Sequence, residues 1–315
     1  MGFTVGGFET FSQRQDEGVN ASENERRPTD RRAPSGGSRG GDSRGSRGGD
    51  ARPPRRDDQQ AEPRERLWPD LPEDITGDEL GEDFIKDDLR PLSMDNARWV
   101  AKHLVMAARC IDEDPDLAWE HAQAAVRRAG RIGVVREAAG LAAYRAGHFA
   151  QALTELRAAR RMTGSNEQLA VIADCERALG RPERALEIAG SAPAGISLAT
   201  TVELRIVAAG ARHDLGQHDA ALVTVQVPEL AQDDLEWGPR LRYAYAEALL
   251  LVQRVDDARQ WFLKAAAVDP EGLTDAEERA SELGDVPRSP DGPVSDPQSA
   301  AGDNEVFQVL DLHDD

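Results

Sequence analysis

The chain has 315 residues, of which 39% are hydrophobic, 30% charged and 5% aromatic, and its formal net charge is −20. So few aromatics argue against an all-β sandwich, where Tyr, Phe and Trp are favoured, and so acidic a balance disfavours a nucleic-acid-binding core, which needs a basic face. Only three of the 38 basic residues are Lys (Lys86, Lys102 and Lys264), an Arg bias that points to a high-GC, bacterial coding sequence.

The first segment, MGFTVGGFETFSQRQDE, has neither the basic nor the apolar region of a signal peptide. Gly6 stands where a myristoylation start wants Ser or Thr. Between Phe11 and Leu67 there is no aromatic residue, and Arg26–Arg56 holds ten Arg against three Asp, a net +7. The stretch RRAPSGGSRGGDSRGSRGGDARPPRR cannot bury enough apolar surface to offset roughly 1–2 kcal/mol of backbone entropy per residue. Residues 1–70 are therefore expected to form a disordered Arg/Gly-rich tail. Its Arg39, Arg44, Arg47, Arg52, Arg55 and Arg56 offer RNA phosphate attraction and guanidinium stacking, with a purely solubilising tail as the alternative.

Residues 71–92 read as an acidic linker with a short helix. Nine acids from Asp70 to Asp88 face only Lys86 and Arg90. Thr76 and Glu79 have capping-box spacing and predict a helix over Asp78–Leu89, with Leu80, Phe84 and Ile85 as its stripe and Pro91 as its stop. From 93 to 284 the hydrophobic period is helical, broken every 13–18 residues. Residues 285–315 carry Pro287, Pro290, Pro293 and Pro297 and predict a disordered acidic tail, with one apolar island at Val306–Leu312. No apolar run reaches the roughly 18 residues of a membrane span. Cys110 and Cys175 lie in no metal or redox spacing, which fits buried thiols in a reducing cytoplasm.

The central region repeats itself. EAAGLAAYRAGHFAQALTELRAA, ADCERALGRPERALEIA, AAGARHDLGQHDAALVTV and AEALLLVQRVDDARQWFLKAAAVDP each read as helix, short turn, helix, and three of the turns hold Gly147, Gly180 and Gly216. A weaker copy, DPDLAWEHAQAAVRRA, precedes them. One alanine recurs in each second helix, at Ala118, Ala152, Ala185, Ala221 and Ala258, with spacings of 34, 33, 36 and 37.

A helix–turn–helix unit of about 34 residues resembles the tetratricopeptide repeat family. Gly140, Ala173, Ala209 and Ala246 fill that family's small place in the first helix, Leu156, Val225 and Phe262 its large apolar place, and Pro270 its closing proline. Ala143, Glu176 and Arg212 depart from its aromatic position. An Arg/Gly tail followed by PEDITGDEL and the first repeats is also similar to actinobacterial members of that family. The resemblance implies an all-α, right-handed solenoid of about five helix pairs, between disordered N- and C-terminal tails. It also implies a concave groove lined by the first helices, with Glu137, Tyr144, Asp174, Arg177, His213, Tyr243 and Glu247 on it. That mixture of acids and tyrosines suits an extended or helical peptide carrying basic residues. Only Arg177 would serve a carboxylate clamp.

The six His form no HExxH or HxH pattern, and no Walker loop, strand-linked GxGxxG or GxSxG occurs. No catalytic residue, metal ligand or cofactor is expected. The function expected is a non-enzymatic cytoplasmic adaptor that binds a protein or peptide. The alternative is an RNA-associated factor whose tail binds RNA while the repeats dock a protein.

Overall fold

A computed structural model describes residues 68–81, 83–233 and 235–284, and the secondary structure of these residues is entirely helical. Eleven α-helices follow one another: α1 Met94–Cys110, α2 Pro115–Ala129, α3 Gly133–Arg145, α4 Phe149–Thr163, α5 Leu169–Ala178 and α6 Pro182–Gly190. After them come α7 Leu198–Asp214, α8 His218–Val225, α9 Gly238–Leu251, α10 Val255–Ala266 and α11 Ala276–Glu282. They pack as consecutive pairs, and each first helix also touches the first helix of the next pair (α1–α3, α3–α5, α5–α7 and α7–α9).

Local chemistry sets the ends. Asp114 accepts a hydrogen bond from the Leu117 N–H at 3.0 Å with Pro115 just inside α2, and Ser197 caps α7 through the Thr200 N–H at 3.1 Å. Inside the next three pairs the turn residue is glycine at φ near +73°: Gly147, Gly180 and Gly216. In the fifth pair the same place is held by Gln253 at φ 61°.

Small residues let the pairs close. Ala118, Ala152, Ala185, Ala221 and Ala258 are all buried, as are Gly140, Ala173, Ala209 and Ala246 on the first helices. At Gly140 the reason is visible: a Cβ there would lie 2.5 Å from Leu156 Cγ and 3.1 Å from the Leu156 backbone nitrogen. The apolar side chains form successive clusters from Ile85 to Ala280, each built from neighbouring pairs.

The acidic segment behaves differently from a single helix. Gly81, at φ 84°, separates a 3-10 turn at Asp78–Leu80 from a π-helical turn at Phe84–Asp88. Glu79 does turn back on the chain, accepting from the N–H groups of Thr76 at 3.2 Å and Gly77 at 2.6 Å. Hydrogen bonding, its own N–H first, holds its carboxyl down to about 2. Ile85 and Leu89 pack on α1, with Leu80, Phe84 and Leu92 beside them, so this segment closes the N-terminal end of the core. At the other end, Thr274 gives its hydroxyl and N–H to Asp269, both at 2.8 Å. The long link between α8 and α9 is gathered by buried Arg242, which donates to the carbonyls of Leu230, Gln232 and Lys264 and to Asp233. Cys175 is buried and its thiol is pushed up to about 12 by that burial, while Cys110 is only half-buried.

His103 and His121 form a pair inside the first repeat, with Nδ1 atoms 2.9 Å apart and both rings buried. One ring must be neutral to accept. Burial above all, then the fields of His121 and Arg128, push His103 down to about 4, and burial pushes His121 down as well. Above the ordinary histidine pKa of about 6.5 the pair's contribution is complete; protonation removes it as pH falls through about 4. Chemical denaturation from pH 7 to 4 is expected to show a loss of roughly 3 kcal/mol that His103→Asn/His121→Asn lacks. A second expectation concerns the fifth turn. A left-handed conformation costs an ordinary side chain roughly 1–2 kcal/mol, so Gln253→Gly should raise stability by about 1 kcal/mol, read as an upward Tm shift.

Candidate functional site

The first helices place one polar residue after another along a shared face, and these meet across pairs. The Tyr144 hydroxyl on α3 donates to Asp174 Oδ2 on α5 at 2.5 Å, and Arg177 Nε donates to Asp174 Oδ1 at 2.9 Å. Arg177 Nη1 reaches Asp214 of α7 at 3.4 Å. Gly210 makes room for that guanidinium: a Cβ there would touch it at 3.4–3.5 Å. Arg240 of α9 pairs with Glu203 of α7 at 2.8 Å, and Arg279 of α11 holds Glu247 of α9 at 2.7 Å. At the near end, Arg145 pairs with Asp112 and Gln168 Nε2 donates to Glu137 at 3.2 Å.

Apart from the Arg177–Asp174 bond within α5, these ties join partners 30 to 37 residues apart. That is the repeat length, so equivalent places in neighbouring pairs bind each other. Burial and, after it, the charge of Arg240 hold the Arg145 guanidinium below its usual range, so helices α3 and α9 bring these two cations within each other's field. Burial raises the Glu203 carboxyl, Arg240 opposes this, and Asp174 adds to it.

The expected groove residues divide into two kinds. Glu137 and Asp174 are buried, at 5% and 4% exposure, and both carboxylates are engaged from within the chain. Glu247 is likewise engaged, by Arg279. Tyr144 is buried and Tyr243 half-buried, its ring edge-on to Phe262 at 5.1 Å; burial and then a hydrogen bond to Asp275 raise the Tyr243 hydroxyl pKa. His213 is exposed, with its Nδ1 3.5 Å from that of His218 across the Gly216 turn. Sequence reasoning missed Arg145, Glu203, Asp214, Arg240 and Arg279. The signal was present: oppositely charged residues one repeat apart. Where the family pattern wants an aromatic, Glu176 is buried between Arg157 at 2.5 Å and Arg181 at 2.6 Å.

Arg39, Arg44, Arg47, Arg52, Arg55 and Arg56 lie outside the described residues, as do most of the predicted N-terminal tail, the C-terminal tail and the Val306–Leu312 island. Among the described residues no group of three or more His, Cys, Asp or Glu could hold a metal ion, and no helix is long and apolar enough to cross a membrane. No protein-family model and no curated protein matches the chain.

What this face offers chemically is an alternating row of charges, sealed at Asp174 and accessible at Asp112 and Asp214, whose side chains are 70% and 34% exposed. The sealed part is a test of the ladder. Asp174→Ala strands a buried guanidinium and a tyrosine hydroxyl, and should cost roughly 3 kcal/mol. Tyr144→Phe should cost about 1 kcal/mol. Urea denaturation of the two single variants and the double variant should return a coupling energy above about 0.5 kcal/mol for this pair.

Proposed function

We propose that the chain is a non-catalytic, cytoplasmic protein-interaction adaptor. In this reading its helix pairs form a right-handed, tetratricopeptide-like solenoid, and its first helices line a concave groove for an extended or helical peptide. The carrying observation is the polar ladder. Contacts repeating at the period of the sequence hold successive first helices side by side, which produces one continuous face. Buried alanines at the repeat register support the same reading.

Buried Glu137 and Asp174 then serve to hold the groove, and Asp112, Asp214, His213 and Tyr243 meet the ligand. A basic ligand side chain would compete with Arg145 for Asp112 and with Arg177 for Asp214. Exposed carboxylates contribute by steering and register more than by raw affinity.

The test uses the full chain against an immobilised library of random 12-residue peptides. Selected peptides should be enriched in Lys and Arg. Asp112→Asn/His213→Ala/Asp214→Asn, which leaves an amide acceptor for Arg145 and for Arg177, should remain folded by circular dichroism and lose about tenfold in affinity, as expected for removal of about 1.4 kcal/mol. Unchanged affinity in this folded variant would overturn the groove assignment.

A further inference from the structure

A second surface lies on the other helices of the pairs. Between α2 and α4 is a cleft of about 450 Å³, lined by Trp119, Gln123, Val126, Arg127, Ala150 and Glu155 among others. Its size is within the roughly 300–1,000 Å³ of clefts that take ligands. The floor is apolar, from Trp119, Val126 and Ala150. Glu155 pairs with Arg136 at 2.6 Å, and Arg127 is an exposed cation of the lining.

The surroundings extend that charge. The ends of α2 and α4 expose Arg127, Arg128, Arg160 and Arg161, and Arg131 follows α2 in the turn. The turn after α2 leads to the end of α4: a Cβ on Gly133, the first residue of α3, would lie 2.3 Å from Thr163 Cγ2. Neither Arg131 nor Arg161 has a carboxylate partner among the described residues. A basic edge around an apolar cleft stands out in a chain of net charge −20.

The complement is in the same chain. Residues 303–315 carry Asp303, Glu305, Asp311, Asp314 and Asp315, no Lys or Arg, and the apolar series Val306, Phe307, Val309, Leu310 and Leu312. The Arg/Gly stretch, at +7, has the wrong sign for this edge. Reach is sufficient. The 21 residues between Gly284 and Val306 span up to about 70 Å when extended, whereas four layers of helices at 8–10 Å amount to about 40 Å.

We infer that residues 303–315 dock in cis on the α2–α4 face, with Phe307 and Leu310 in the Trp119 cleft and the flanking carboxylates on Arg127 and Arg131. Tethering makes the encounter intramolecular, at an effective concentration on the order of millimolar. The segment thereby covers a surface distinct from the first-helix groove.

The experiment replaces Phe307 by the photoreactive analogue benzoylphenylalanine in the full chain, and maps crosslinks by mass spectrometry. Crosslinks should fall within 115–129 and 149–155, be independent of protein concentration, and weaken at least fivefold in 1 M NaCl. Arg127→Glu/Arg131→Glu should reduce them equally, at exposed positions that leave the fold intact. Glu305→Lys/Asp311→Lys should do the same. Crosslinks to the first-helix groove, crosslinks confined to dimers, or a pattern indifferent to both charge reversals would each overturn the inference. None of these results bears on peptide capture by Asp112, His213 and Asp214, so the two readings fail separately.

Discussion

A single pair of helices cannot bury its own apolar stripe, and everything else in this chain follows from the way that deficit is met. The second helix of each pair approaches the first through one alanine, from Ala118 to Ala258, and at Gly140 even a methyl group has no room against Leu156. Close approach leaves broad apolar faces that the next pair must cover. The core is accordingly a chain of neighbouring clusters. Its ends are closed by Ile85 and Leu89 on one side and by Ala276 and Ala280 on the other.

Apolar contact alone does not choose which rung of one helix faces which rung of the next. The ladder from Arg145 to Arg279 supplies that register, because Arg145, Tyr144, Arg177, Arg240 and Arg279 each reach a partner one repeat away. A one-turn slip would take Tyr144 from Asp174 and Asp214 from Arg177, and each buried polar group left short of a partner costs roughly 1–3 kcal/mol. Glu176 and Arg242 enter the core where the repeat pattern is broken, Glu176 between Arg157 and Arg181 and Arg242 donating to three carbonyls and Asp233.

The two faces of the stack differ in chemistry as a result. On the first helices the charges alternate and largely cancel, leaving Asp112, Asp214 and His213 to meet solvent. On the second helices the cations gather at helix ends, where carbonyl dipoles favour them, and collect around the Trp119 cleft.

Much of this was legible before any coordinates. Helix positions, the turn glycines, the period near 34 and the burial of the recurring alanines depend on local periodicity and side-chain size, which the chain carries residue by residue. The partners of Asp174, Glu203 and Glu247 were not legible in the same way. Their spacing was visible, but polar residues 30 to 37 apart become contacts only once stacked helices bring equivalent rungs together. The same holds for His103 and His121, 18 residues apart on two helices and joined only by packing. Gly81 split a predicted helix because a left-handed residue ends the run of backbone bonds, whereas Glu79 kept its capping role because that bond is local. Local rules set the elements; long-range packing decided which charges are sealed inside and which remain for a ligand, because burial belongs to the assembled stack and to no single helix.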